Sequence, residues 1–178
     1  MRSITRERLE TERLVCERLT PDHAPELMTL LSDPRVAKPL FASAEPPSEA
    51  EMVENLGAKV AHWERFDFGL WLLRDRVTGE MLGRGGLQHT FVGGCDEVEI
   101  GWAILPARWG QGLATEMARA AAGVAFDDLR LGELVAFTLP ENIASRRVME
   151  KTGFSYERRI VHVGLPHVLY RLAAPTTG

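Results

Sequence analysis

Two glycines two residues apart, Gly110 and Gly112, stand between a strand-like run at residues 97–104 and an alanine-rich helical run ending near Phe126. The segment Arg108-Trp109-Gly110-Gln111-Gly112-Leu113-Ala114-Thr115-Glu116 has to turn between them. Glycine takes left-handed backbone angles at little cost, so a Gly-x-Gly turn can present successive N–H groups on one side. The following helix points the positive end of its dipole at the same place, which favours an anion there. A Gly-x-Gly pattern ahead of a helix also serves as a plain turn, and alone it does not decide between the two.

The rest of the chain alternates between strand and helix periodicities around that turn. Residues 14–19 form a short β-type run, and Thr20-Pro21 gives a helix cap followed by proline at the first helical position, predicting a helix to about residue 31. Asp33-Pro34 is expected to stop it. Residues 38–47, with three prolines and Phe41, form either a lip over a substrate or a plain surface connection. Ser48-Glu49-Ala50-Glu51 is a capping box that opens a second helix toward Trp63. Strands are expected at 68–73 and 81–87, joined by a polar connection at 75–79, and Gly93-Gly94 turns the chain into 97–104. In that run Val98, Ile100, Trp102 and Ile104 alternate with Glu97, Glu99, Gly101 and Ala103, so one face is apolar and the other carries two carboxylates. Beyond the turn, Leu113, Met117, Ala120, Ala121 and Val124 make an apolar helical stripe. A strand at 133–138, a helix from Pro140-Glu141-Asn142 to Lys151 closed by Gly153, and strands at 154–161 and 167–173 follow. This order predicts one domain over residues 1–178, of the α+β (mixed α/β) class, with helices packed on a mixed sheet.

Composition narrows the partners. A chain of 178 residues can bury roughly 70% of its unfolded surface, enough for a core without staples. A net charge of −4 gives no basic field for nucleic-acid phosphates, so no nucleic-acid partner is expected. The N-terminal residues lack the apolar core of a signal peptide, and no window approaches eighteen consecutive apolar residues, so a cytoplasmic protein without membrane association is expected. Cys16 and Cys95 have no CxxC or paired-histidine spacing, and His23, His62, His89, His162 and His167 have no i, i+4 partners, so no metal is assigned. His89, at a strand end near the turn, is the histidine nearest the expected cleft.

Several short motifs then occur in a telling order: Thr11-Glu12-Arg13-Leu14 with Arg18-Leu19, Asp33-Pro34-Arg35-Val36, Glu99-Ile100-Gly101-Trp102, and Trp109-Gly110-Gln111-Gly112-Leu113-Ala114. Glu141-Asn142-Ile143-Ala144-Ser145 leading to Glu150-Lys151-Thr152-Gly153-Phe154 completes the set. In this order, over nearly the whole chain, they resemble the GNAT superfamily of N-acetyltransferases, most closely the branch that includes the ribosomal-protein N-terminal acetyltransferases. The resemblance implies a central mixed sheet of about six to seven strands, splayed in the middle and flanked by about four helices. It also implies acetyl-CoA as co-substrate, its pyrophosphate held by backbone amides of Gly110, Gln111, Gly112, Leu113, Ala114 and Thr115. The strand end at Ile104 and Leu105 would pair with the pantetheine arm, and Asn142 would hydrogen-bond that arm; on sequence alone Asn142 reads first as a helix cap, and the two roles can coexist. Two positions depart from the wider family: Trp109 stands three residues before Gly112 where Gln or Arg is usual, and Met149 stands where many relatives place a tyrosine acid.

Acetyl transfer to an amine needs a neutral amine, a donor for the developing oxyanion and a proton for the leaving thiolate. Glu97 and Glu99 lie two apart on one strand face, ~7 Å between Cα atoms at ~3.3 Å per residue, and Glu99 is the candidate base, acting through water. A solvent-facing carboxylate pair is the plainer reading of both. The resemblance places a backbone N–H near Ile104 or Leu105 at the oxyanion and Ser145 near the thioester sulfur; a first-turn serine can instead bond its own backbone. The expected function is transfer of acetyl from acetyl-CoA to a primary amine, a protein N-terminus or a small amine, by direct attack, in a monomer or homodimer. A catalytically silent acyl-CoA-binding or regulatory protein is the rival, to which Met149 points. A nucleotide-phosphate protein ranks last, because the Lys-Ser or Lys-Thr ending of a P-loop is missing.

Overall fold

The computed structural model describes residues 5–176. In chain order the elements are β1 (Arg8–Glu10), β2 (Leu14–Arg18), α1 (Ala24–Leu31), α2 (Pro34–Ala37), α3 (Glu49–Phe66), β3 (Leu70–Asp75), β4 (Met81–Val92) and β5 (Cys95–Ile104). After them come α4 (Leu113–Gly123), β6 (Glu133–Thr138), α5 (Ile143–Lys151), β7 (Ser155–His162) and β8 (Leu165–Ala173). All eight strands form one mostly antiparallel sheet in the order β1-β2-β3-β4-β5-β6-β8-β7. None of the described helices is long and apolar enough to cross a membrane.

Local chemistry sets these elements. The Ser48 hydroxyl accepts from the Glu51 N–H at 3.3 Å while the Glu51 carboxylate accepts from the Ser48 N–H at 2.8 Å, the reciprocal box that starts α3. Gly93 and Gly94 both have positive φ, 61° and 87°, which fits a two-residue hairpin and carries β4 and β5 to lengths the sequence pattern understates. The expected counts need two corrections. β1 adds a strand: Arg8, Leu9 and Glu10 alternate about the buried Leu9 but are too few to show a period in the sequence, and they pair antiparallel with β2. Asp33-Pro34 ends α1 and also begins α2, because the Asp33 carboxylate accepts from the Arg35 N–H at 2.9 Å and proline suits the first helical turn.

Two apolar layers sandwich the sheet. On one face Ile100 and Ile104 of β5 pack with Leu113, Met117, Ala118 and Ala121 of α4; the expected stripe gains Ala118, and Ala120 packs against it half-buried. Burial of Leu113 and Met117 contributes roughly 2 kcal/mol each. Gly85 permits this close seat, since a Cβ there would stand 2.5 Å from the Met117 Cε. On the other face Ala103 packs with Leu27, Leu30, Met52 and Leu56 from α1 and α3. The helical run after the turn ends around Phe126, as expected, in a π-helical turn at Val124–Asp128.

The sheet is continuous but not uniformly closed. β4 and β5 share ten residue pairs, whereas the parallel neighbours β5 and β6 share one, Glu99 with Val135. Beyond that bridge their carboxyl ends diverge, which is the expected splay. Arg171 of β8 closes the narrow end: its guanidinium donates to Glu97 of β5 at 2.8 and 3.1 Å, to Glu133 of β6 at 2.8 Å and to Glu157 of β7 at 2.9 Å. These hydrogen bonds, Glu97 foremost, hold the Arg171 pKa above its ordinary value. Replacing Arg171 by Gln leaves three neighbouring carboxylates without their cation. We expect urea unfolding to show a loss of about 1–3 kcal/mol, discounted for partial exposure; a change under about 0.5 kcal/mol would mean the clamp is idle.

Candidate active site at the splayed strands

The divergence of β5 and β6 opens a cleft of about 730 Å³ at their carboxyl ends. Ligands of open α/β sheets bind at such points, and the segments leaving both strands enter helices, α4 and α5, with their N-termini at the cleft.

The glycine turn forms one wall. Gly110 and Gly112 have φ of 74° and 76°, and a Cβ on Gly110 would meet nothing within 4 Å, so backbone conformation rather than space calls for glycine. Among the described residues no carbonyl or side chain accepts from the N–H groups of residues 110–115. That row of unpartnered donors at a helix N-terminus is an anion cradle. Residues 110–115 all line the cleft.

A clamp from the β1–β2 turn holds this cradle, and sequence reasoning missed it. The Arg13 guanidinium donates to the Gln111 carbonyl at 2.7 Å and to Glu116 at 2.7 Å, while the Arg13 N–H and the Thr11 hydroxyl reach the same carboxylate at 2.7 and 2.6 Å. Burial works to raise the Glu116 pKa, but the Thr11 and Arg13 hydrogen bonds outweigh it and hold the group below the ordinary carboxylate range. The only sequence signal was Thr11-Glu12-Arg13-Leu14, more than 90 residues from Glu116 (|i−j| = 103 for Arg13).

The β5 edge supplies the second wall. The Leu105 N–H donates to the Leu82 carbonyl at 2.8 Å, so its donor is committed to β4. Because backbone groups alternate sides along a strand, the N–H and C=O of Trp102 and Ile104 point the other way, into the splay. The Ile104 carbonyl accepts from the Trp109 indole at 2.7 Å, leaving the Ile104 N–H as the open donor. Of the two expected positions, Ile104 and not Leu105 therefore presents its amide.

From the β6 side, Asn142 caps α5: its Oδ1 accepts from the Ser145 N–H at 3.3 Å and its Nδ2 donates to the Thr138 hydroxyl at 2.9 Å. The capping reading of Asn142 thus holds, with donor and acceptor capacity left over. Ser145 lines the cleft, and its hydroxyl bonds no described group, so it does not fold back on its own backbone. Met149 is buried beside it, and neither Tyr156 nor Tyr170 lines the cleft.

The floor carries the ionisable groups. Glu97 and Glu99 separate: Glu97 is bound by Arg171 and lies outside the cleft, whereas Glu99 lines it. Burial raises the Glu99 pKa, opposed by a 2.8 Å hydrogen bond from Gln88 and by Lys59, Thr90 and Arg84 nearby. Gln88 in turn accepts from Lys59 Nζ at 2.5 Å. Lys59, Arg84 and Gln88 were not recognisable beforehand, because they come from α3 and β4 and meet Glu99 only when the sheet forms. His89 is exposed in a stack with Phe66, ring centroids 4.1 Å apart, away from the cleft; His162 and His167 line it instead. Burial and then His167 push the His162 imidazole below its ordinary pKa. The segment at 38–47 does border the cleft through Lys38, Pro39, Leu40, Phe41 and Ala42. Among the described residues no cluster of His, Cys, Asp and Glu could hold a metal.

A splayed sheet with a row of open N–H donors at one wall and a half-buried carboxylate on its floor has the shape and charge to receive an extended anion beside a basic group. A family profile, the acetyltransferase (GNAT) domain, matches residues 13–155, and the chain belongs to this family. It is 31% identical over 161 residues to the FsC-acetyl coenzyme A-N(2)-transacetylase of Aspergillus fumigatus, covering 83% of this chain and 65% of that protein, so it spans less than two thirds of that relative. A GnaT-family acetyltransferase from Bordetella pertussis superposes with a TM-score of 0.81 at 26% identity, over 93% of this chain and 99% of that one. The ribosomal L7/L12 alpha-N-protein acetyltransferase RimL, solved in complex with coenzyme A, shares the fold at TM-score 0.78 and 16% identity, over 94% and 98% of the two chains.

Replacing Arg13 by Ala removes the bonds to Gln111 and Glu116. Calorimetry with acetyl-CoA should show about 10-fold weaker binding, equivalent to ~1.4 kcal/mol; unchanged affinity would mean the cradle holds its shape unaided.

Proposed function

We propose that the chain is an N-acetyltransferase that moves the acetyl group of acetyl-CoA to a primary amine held in the same cleft. What carries this reading is the row of free N–H groups at residues 110–115 opening onto the cleft floored by Glu99. The relative named an acetyl coenzyme A transacetylase and the neighbour solved with coenzyme A support the donor.

In this reading Gly110, Gln111, Gly112, Leu113, Ala114 and Thr115 bind the pyrophosphate, and the free edge of β5 leading up to Ile104, through the open groups of Trp102, pairs with the pantetheine arm, with Asn142 facing it. The amine nitrogen attacks the thioester carbonyl, a C–N bond forms, the C–S bond breaks, and the products are an acetamide and free CoA thiol. Glu99 takes the amine proton through water; its raised pKa makes it a better base than an ordinary carboxylate. The Ile104 N–H faces the developing oxyanion, and the unengaged Ser145 hydroxyl gives a proton to the thiolate in place of the absent tyrosine. An intact base and hydroxyl in one cleft speak against a silent binder.

Replacing Glu99 by Gln tests the base. We expect kcat/KM to fall about 100-fold, with loss of the acidic limb of the pH profile, which in the native protein lies above the ordinary carboxylate range. The folded state holds the Glu99 proton more tightly than the unfolded chain, so stability falls as pH rises through the raised pKa. The Gln variant should therefore melt at a higher temperature at neutral pH. An unchanged pH–rate profile would remove Glu99 from the mechanism.

A further inference from the structure

Seven lysines and arginines line the cleft, Arg35, Lys38, Lys59, Arg84, Arg108, Arg147 and Lys151, against a single carboxylate, Glu99. Most of this charge has an account. Arg35 and Arg108 pair with Asp33 and Asp75, and Lys38, together with Arg147 and Lys151 of α5, is exposed to solvent. Arg84 and Lys59 do not. They come from β4 and α3, on the sheet face that Glu99 shares. Arg84 lies opposite Ala103, and Gln88 opposite Glu99.

The Arg84 guanidinium makes no hydrogen bond or ion pair with any described residue, and Lys59 bonds only the Gln88 amide. Gln88 stands between Lys59 and Glu99, so the one carboxylate is bound by an amide and neutralises neither cation directly. Burial pushes the Arg84 pKa down to about 10, which still leaves it charged at neutral pH. Burial, then Arg84, lowers that of Lys59, with Glu99 opposing. Two half-buried cations, neither bonded to a carboxylate, are costly unless a ligand brings the counter-charge. Between Ala103 and Glu99 the shared face carries only Gly101; a Cβ there would crowd Glu99 Oε1 at 3.3 Å, so glycine keeps the space beside the carboxylate clear.

We infer that the amine acceptor carries its own compact oxyanion, a carboxylate or phosphate, held by Arg84 and Lys59 while its amine faces Glu99. This rests on the acetyltransferase reading above and narrows its acceptor to small zwitterionic or anionic amines, in preference to polyamines and aminoglycosides. An Arg guanidinium binds such a group through two parallel hydrogen bonds, which fixes the acceptor's orientation as well as its charge. Acid and amine on one molecule would thus satisfy both ends of the site.

The test is thiol release from acetyl-CoA with matched amines: amino acids and β-alanine against their decarboxylated counterparts, phosphoethanolamine against ethanolamine, and spermidine as the cationic control. Within at least one pair the anionic member should show a kcat/KM at least 10-fold higher, and whether carboxylate or phosphate leads identifies the oxyanion. Arg84→Gln should reduce that preference at least 10-fold, chiefly through KM, with Arg84→Lys recovering part of it and acetyl-CoA affinity by calorimetry unchanged. If acetyl-CoA does not bind, the acetyltransferase reading fails and the inference with it. If it binds but spermidine or the uncharged members are preferred, if Arg84→Gln lowers both members of a pair alike, or if no pair releases thiol, the inference alone is overturned.

Discussion

The structure depends on a ladder that is not made. β5 and β6 meet at a single bridge and then diverge, so the backbone groups of Trp102 and Ile104 face a cleft instead of a neighbouring strand. Unpaired strand edges are costly when buried and hazardous when exposed. Here the divergence is pinned from both ends. Arg171 ties β8 to glutamates on β5, β6 and β7 at the closed end, and the Trp109 indole covers the Ile104 carbonyl at the open end. An extended ligand arm can complete the ladder that the chain leaves open, in the manner of strand addition.

The same economy governs the glycine turn. Its N–H groups are useful only while nothing inside the protein accepts from them, so the turn must be held by other atoms. Arg13 and Thr11 do this from the opposite edge of the sheet, gripping the Gln111 carbonyl and the Glu116 side chain and leaving the N–H side clear. β1, too short to stand alone, is what brings those residues within reach, through its hairpin with β2.

Much of this was legible in the chain. The capping box at Ser48, the Gly93-Gly94 hairpin and the alternation in β5 are local signals, and each produced the element expected of it. The order of motifs pointed to the family and so to the splay. What stayed hidden was whatever depends on residues distant in sequence. Glu97 and Glu99 look alike as an alternating pair, and only the approach of Arg171 from β8 ties up one and leaves the other in the cleft. The resemblance that offered Ile104 and Leu105 together could not show which of them faces β4. His89 suggested itself by lying near a strand end, yet packing against Phe66 takes it out of the cleft, while His162 and His167 enter from the last hairpin.

Charge shows the same gap between whole chain and site. The molecule carries −4 overall, which by itself says nothing about what it binds. Acidic residues lie almost wholly outside the cleft, some in pairs such as Glu116 with Arg13 and Glu97 with Arg171, and the cleft holds more cations than carboxylates. In a site shielded from water a pair of cations interacts far more strongly with an entering anion than the same pair would on the surface. Glu99 then sits among groups of opposite sign yet keeps a raised pKa, because burial outweighs the help from Gln88, Lys59 and Arg84. A carboxylate so placed is a poor contributor to stability and a good acceptor of protons, and that trade is tolerable where a base is needed beside bound anions.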